Sequence, residues 1–157
     1  MHMKIVSINF VAEYGSTGKL AASISDYMIN LGHKCYILYG RKPVSNRNNA
    51  IKFYKETESK FHSLLLRMGV ESEYEGCYFA TLQLIRFVKS IQPDIVHLHC
   101  LNNSCVNIYK FLRFLAKSHT KTIITHHAEF YYTGSCTHAF ECLEFTKNPG
   151  CVHCPRP

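Results

Sequence analysis

The chain has 157 residues, of which 46% are apolar and 18% charged, the balance of an ordinary globular domain able to bury a core without staples. Its formal net charge of +7 points to an anionic partner: a phosphate, a nucleotide or a lipid surface. Lys and Arg are scattered and form no basic block, which makes nucleic acid the less favoured partner.

No apolar run approaches the length needed to span a bilayer, and the start, MHMKIVSINF, lacks a signal-peptide apolar stretch and cleavage site. The reading is therefore a cytoplasmic protein. In that compartment clustered cysteines favour a metal over disulfides.

In chain order, residues 4–10 (KIVSINF) predict a buried strand that runs into VAEYGSTGK. Leu20, Ala21, Ile24, Tyr27, Met28 and Leu31 then recur at helical spacing, and Gly32 ends the helix. Residues 35–39 (CYILY) predict a second strand, parallel to the first. A basic, Asn-rich loop over 40–49 leads to a short strand at 51–54, a helix over 59–68 and an acidic connector over 69–76. A further helix over 77–91 places Leu82, Ile85, Val88 and Ile91 on one side, and Pro93 stops it. Residues 94–99 (DIVHLH) predict a strand. Asn102 or Asn103 is expected to cap a helix with a face of Cys105, Ile108, Tyr109, Leu112, Leu115 and Ala116. The last strand is 121–126. Strands alternating with amphipathic helices define an α/β, Rossmann-like, doubly wound and mostly parallel sheet over residues 1–128. Residues 129–157 form an irregular Cys-rich loop of the same domain.

Several motifs carry chemistry. GSTGK is not a P-loop, because Glu13 and Leu20 stand where that motif needs glycine and Ser or Thr. Gly15, Ser16, Thr17 and Gly18 still admit two readings. One is an anion site of backbone amides at a helix N-terminus; the other is a tight turn capped by Ser16 or Thr17. His97 and His99 lie on one strand face: His97 reads as packed, while His99 reaches the carboxyl edge where ligands bind. There it either acts directly or hydrogen-bonds a neighbouring loop. His126 and His127 end the last strand, one facing each way, and a cleft-facing imidazole can act as a base or polarise an oxygen. Cys136, Cys142, Cys151 and Cys154 read C-x5-C-x8-C-x2-C. They admit a structural zinc, reduced thiols or disulfides; His138 and His153 are spare ligands, and Cys35, Cys77, Cys100 and Cys105 read as core.

Together these residues resemble the N-terminal domain of bacterial family 4 glycosyltransferases of GT-B architecture, above all those of capsule and exopolysaccharide assembly. The likeness rests on YGSTGK followed by a helix ending in LGH, on DIVHLH followed by Asn, and on a strand-end threonine and histidine followed by TGxC, Cys and G-C-x-x-C-P. Counting back from Cys136 sets His127 on the family's cleft histidine. Ala128 stands where the family has aspartate, and Glu129 is the candidate substitute. The resemblance implies that a hexose moves from a nucleotide-sugar donor to a lipid-linked or saccharide acceptor, with no metal in the chemistry. It also implies catalytic roles for His127, His99 and Glu129, phosphate contact by Gly15–Gly18, and contact with the inner face of the membrane. The donor would be held mainly by a second, C-terminal domain absent from this sequence, so the chain alone is expected to be inactive. The competing reading is a non-catalytic, zinc-stabilised α/β binding module, perhaps for nucleic acid.

Overall fold

A computed structural model describes residues 2–41, 47–69, 75–101, 105–133, 136 and 138–147. The chain divides into two compact units, Met1–Thr125 and His126–Pro157.

In the first unit, strands β1 (Lys4–Val11), β2 (Lys34–Arg41), β3 (Ala50–Lys52), β4 (Ile95–Leu98) and β5 (Lys121–Ile124) form one sheet. The order is β3-β2-β1-β4-β5, and every pairing is parallel. Helix α1 (Gly15–Asn30) links β1 to β2; α2 (Glu56–Arg67) and α3 (Tyr78–Ile91) lie between β3 and β4; and α4 (Ile108–Ala116) links β4 to β5. This is the Rossmann-like, doubly wound α/β fold expected from the alternation of strand and helix patterns. The chain leaves β1 toward β2 on one side and returns through β4 on the other. The carboxyl ends of β1 and β4 therefore flank the point where strand order reverses, the place such sheets offer to ligands.

The central strands are closed on both faces: Val6, Ile8, Ile37, Leu38, Val96 and Leu98 are fully buried. Edge strand β5 differs. All four of its residues are exposed, with Ile123 at 49% and Ile124 at 37%.

Three helix readings are corrected. The side of α1 that packs consists of Gly18, Ala21, Ala22 and Ser25, whereas Leu20, Tyr27 and Leu31 are exposed. Small residues let the helix axis approach the sheet closely, so the packed stripe is set by size and not by apolarity alone. In α3 the buried positions are Ala80, Thr81, Leu84 and Val88. Helix α4 starts at Ile108, and its cap is Asn107, whose side chain accepts from the Lys110 amide at 2.9 Å. The Asn107 amide in turn donates to Thr81 Oγ1 at 2.7 Å, so this cap also fixes α4 against α3. The expected caps Asn102 and Asn103 lie outside the described residues.

Among its described residues the second unit contains a short helix, α5 (Phe130–Thr133), and a 3-10 turn, Glu144–Thr146. A segment without sequence period is thus partly ordered by local turns. Among the described residues no helix is long and apolar enough to cross a membrane.

Candidate functional site

The carboxyl ends of β1 and β4 are joined by one buried side chain, Asn9. Its Oδ1 accepts from the Cys100 amide at 3.0 Å. Its Nδ2 donates to the Val11 carbonyl at 2.8 Å and to Thr17 Oγ1 at 3.4 Å. The Phe10 amide donates back to the Cys100 carbonyl at 3.0 Å, and the His99 amide to Ile8 at 2.9 Å. Asn9 is fully buried, so each bond replaces one that water would otherwise make. The glycine turn and the end of DIVHLH are therefore fixed relative to one another.

The turn itself is strained and open. Glu13 and Gly15 have φ of +55° and +64°, a region costly for any residue with a Cβ. Arg47 steadies it, bridging Glu13 Oε1 at 3.4 Å and Asp26 on α1. Gly18 packs so closely that an added Cβ would lie 3.1 Å from Val11 Cγ2 and 3.2 Å from the Glu13 amide. Ser16 and Thr17 lie inside α1 and do not cap it. The N-cap is Tyr14, which makes no side-chain bond to the first turn, and that turn carries no acidic residue. First-turn amides at a positive helix end suit an anion, and the one carboxylate of the preceding turn, Glu13, is paired with Arg47.

His99 is fully buried, and its ring stacks on that of His97 at 4.1 Å between centroids, tilted by 38°. His97 Nε2 is 2.7 Å from Thr125 Oγ1. The histidines of this strand are thus packed against one another, with His99 more deeply enclosed than its place at the strand's edge suggests.

Arg41, at the end of β2 and in register with Val11, lies over the rings of Phe10 (5.3 Å) and Tyr54 (5.8 Å). Burial pushes the nearby Cys105 thiol well above the usual thiol range, which keeps it a neutral core group. Cys35 and Cys77 are also buried, and Cys100 is half-buried.

In the second unit His127 is half-buried, and burial lowers its pKa below the ordinary imidazole value. It is therefore neutral near pH 7, the form that can accept a proton. His126 packs edge-on against the ring of Tyr131 at 5.2 Å. Glu129 is committed within its own loop: its carboxylate accepts from the Ala139 amide. The Ala139 bond first, then the Tyr132 hydroxyl and the nearby His138, hold its pKa below the usual carboxylate range. Such a carboxylate is a weak base. Cys136 and Cys142 are half-buried free thiols, and the Thr133 hydroxyl donates to the Cys136 carbonyl at 2.9 Å. Cys151 and Cys154 lie outside the described residues, as does His153.

The first unit thus links the Gly15–Gly18 turn, through Thr17 and Asn9, to the His99–Cys100 segment; Gly15, Ser16 and Gly18 belong to it as neighbours of Thr17 on the chain. The second gathers His127, Glu129, Cys136 and Cys142 in one short stretch. Asn9, which organises the first arrangement, and Arg41, which lies over Phe10 and Tyr54, escape a motif search. Asn9 is an amide in an otherwise β-branched and apolar strand, and that misfit is its sequence signal. Arg41 has none, because its two aromatic neighbours come from distant parts of the sequence. No protein-family model matches the chain, and no curated protein is found as a relative.

Proposed function

We propose that this chain is the acceptor-side part of a glycosyltransferase, moving a hexose from a nucleotide sugar to a lipid-linked or saccharide acceptor during surface polysaccharide synthesis at the inner face of the membrane. One observation carries the reading. Asn9 ties the N-terminus of α1, whose first turn holds no acidic residue and no side-chain cap, to the end of DIVHLH at the reversal point of a parallel sheet. That arrangement offers backbone amides to a phosphate-bearing ligand, and the sequence likeness supplies the reaction class. In this reading His127, neutral and half-buried, takes the proton or polarises the reacting oxygen. The Gly15–Gly18 turn binds the acceptor side, His99, buried behind it, shapes the strand end, and Glu129 holds the loop in shape. Cys136, Cys142, Cys151 and Cys154 would bind a structural zinc that takes no part in the chemistry. The donor is held by a second domain.

Hexose transfer from UDP- and GDP-sugars to membrane-extracted acceptors tests the reading. The enzyme with its donor domain should transfer, the chain alone should not, and His127→Ala should lower turnover by at least about 100-fold. His126→Ala should act mainly on stability. Transfer by the isolated chain overturns the two-part reading, and absence of transfer by the two-domain protein overturns the reaction class. Elemental analysis of protein purified in reductant should find close to one zinc per chain; none would retire the metal site.

A further inference from the structure

A cation held by two aromatic rings stands beside the strand-end site. Arg41 closes β2 in register with Val11 of β1, so their backbones are one strand spacing apart, about 4.8 Å. Val11 in turn packs against Gly18 of α1, where an added Cβ would lie 3.1 Å from Val11 Cγ2. Arg41 and the first-turn amides of α1 therefore border the same end of the sheet.

The guanidinium carbon of Arg41 lies 5.3 Å from the centre of the Phe10 ring and 5.8 Å from that of Tyr54. The floor beneath is closed. Tyr54 is buried, its hydroxyl 3.5 Å from Cys77 Sγ, and Cys105 Sγ would lie 3.0 Å from a Cβ added at Gly40. Arg41 and Phe10 are half-buried above this floor. A ring face attracts the charge but is a poor hydrogen-bond acceptor, so the two rings position the cation without using up its donor fork.

A fork held in one place matches two coplanar oxygens, the geometry of a carboxylate. Charge points the same way. A diphosphate calls for several cations, and Arg47, at the glycine turn, is already engaged by Glu13 and Asp26. One guanidinium balances one carboxylate.

We propose that Arg41 recognises a carboxylate on the acceptor, which makes the acceptor an acidic sugar of the uronic acid class. The proposal rests on the transferase reading for the ligand's role as acceptor. Binding of the acidic sugar itself needs neither donor nor second domain, so the two can fail separately.

NMR titration of the chain with methyl β-glucuronide, methyl β-glucoside and inorganic pyrophosphate tests it, followed at the Arg41 Nε–Hε signal. The glucuronide should shift that signal and the neutral glucoside should not. Arg41→Gln should weaken glucuronide binding by about tenfold or more. Arg41→Lys keeps the charge without the fork and should lose most of the same affinity. Phe10→Leu removes one ring and should weaken binding about threefold, whereas Tyr54→Phe keeps both rings and should leave it unchanged. Circular dichroism checks that each variant is folded. No glucuronide binding, equal binding of the glucoside, or parental affinity in folded Arg41→Gln or Arg41→Lys each overturns the proposal. Pyrophosphate binding that Arg41→Gln abolishes, without glucuronide binding, assigns the guanidinium to a phosphate and overturns it equally. Under the transferase reading, Arg41→Gln should also raise KM for an acidic acceptor and spare kcat. Transfer with KM unchanged in that variant sinks this proposal alone. Absence of transfer, with Arg41-dependent glucuronide binding intact, sinks the transferase reading and supports the acidic-sugar site.

Discussion

The Cys100 amide donates to Asn9 Oδ1 at 3.0 Å, across the two strands whose ends flank the point of reversal. The same side chain donates to Val11, so its orientation is fixed: oxygen toward β4, nitrogen toward the glycine turn. Asn9→Ala leaves a buried amide and a buried carbonyl without this partner and should cost about 2–4 kcal/mol in urea unfolding. Asn9→Asp should cost at least as much, because a carboxylate oxygen would face the Val11 carbonyl. An Asp variant as stable as the parent would show that the amide is not oriented this way.

Gly15 and Gly18 are three residues apart and should fail for different reasons. At Gly18 an alanine Cβ meets Val11 Cγ2 and the Glu13 amide at 3.1 and 3.2 Å, so the turn must shift. The usual helical gain of about 1 kcal/mol for Gly→Ala should therefore be reversed into a net loss of about 1–2 kcal/mol. At Gly15 there is open space but φ is +64°, so alanine should cost about 1 kcal/mol through backbone strain alone. Equilibrium unfolding of both variants separates the two causes. Gly15→Asn, tolerant of left-handed φ, should recover part of the Gly15 loss and would be no help at Gly18.

How far these features were legible depends on what fixes each of them. The strand order follows from β-branched runs alternating with helical periods, and the doubly wound sheet could be read from them. The facing of α1 could not, because the sheet selects the small residues Ala21, Ala22 and Ser25 while Leu20 and Tyr27 keep an apolar period on the outside. The sequence sets the start of α4 too early because several asparagines can cap it, and the tertiary bond from Asn107 to Thr81 favours Asn107. The spacing sets His99 at the strand's carboxyl edge, but its stacking on His97 depends on strand twist and packing, which spacing does not encode.

His127 gives a pH signature with a defined sign. Burial lowers its folded-state pKa below the unfolded value of about 6.5, so the unfolded chain takes up the proton first as pH falls. Stability from this site should therefore decline as pH falls through about 6.5 and level off once pH is below the folded pKa. His127→Gln, which cannot titrate, should lose less stability than the parent between neutral and mildly acidic pH in parallel urea titrations. An NMR titration midpoint for His127 above the ordinary imidazole value would contradict the assignment.

Glu129 has the opposite dependence. Its carboxylate accepts from the Ala139 amide, and this bond, with the Tyr132 hydroxyl and His138, favours the charged form. Its contribution to loop order should be fully present above the ordinary value of 4.5 and should disappear as pH falls through the lowered folded-state value. The Ala139 amide proton reports this directly, since its shift should follow the Glu129 titration with a midpoint below 4.5. Glu129→Gln keeps an acceptor but no charge, so it should weaken amide protection at Ala139, and Glu129→Ala should remove it. The same chemistry separates holding the loop from catalysis. A carboxylate with a lowered pKa is a poor general base, so under the proposed transferase reading Glu129→Gln should reduce transfer far less than His127→Ala. A loss equal to that of His127→Ala, with the Ala139 amide still protected, would move Glu129 into the reaction and out of the loop's framework.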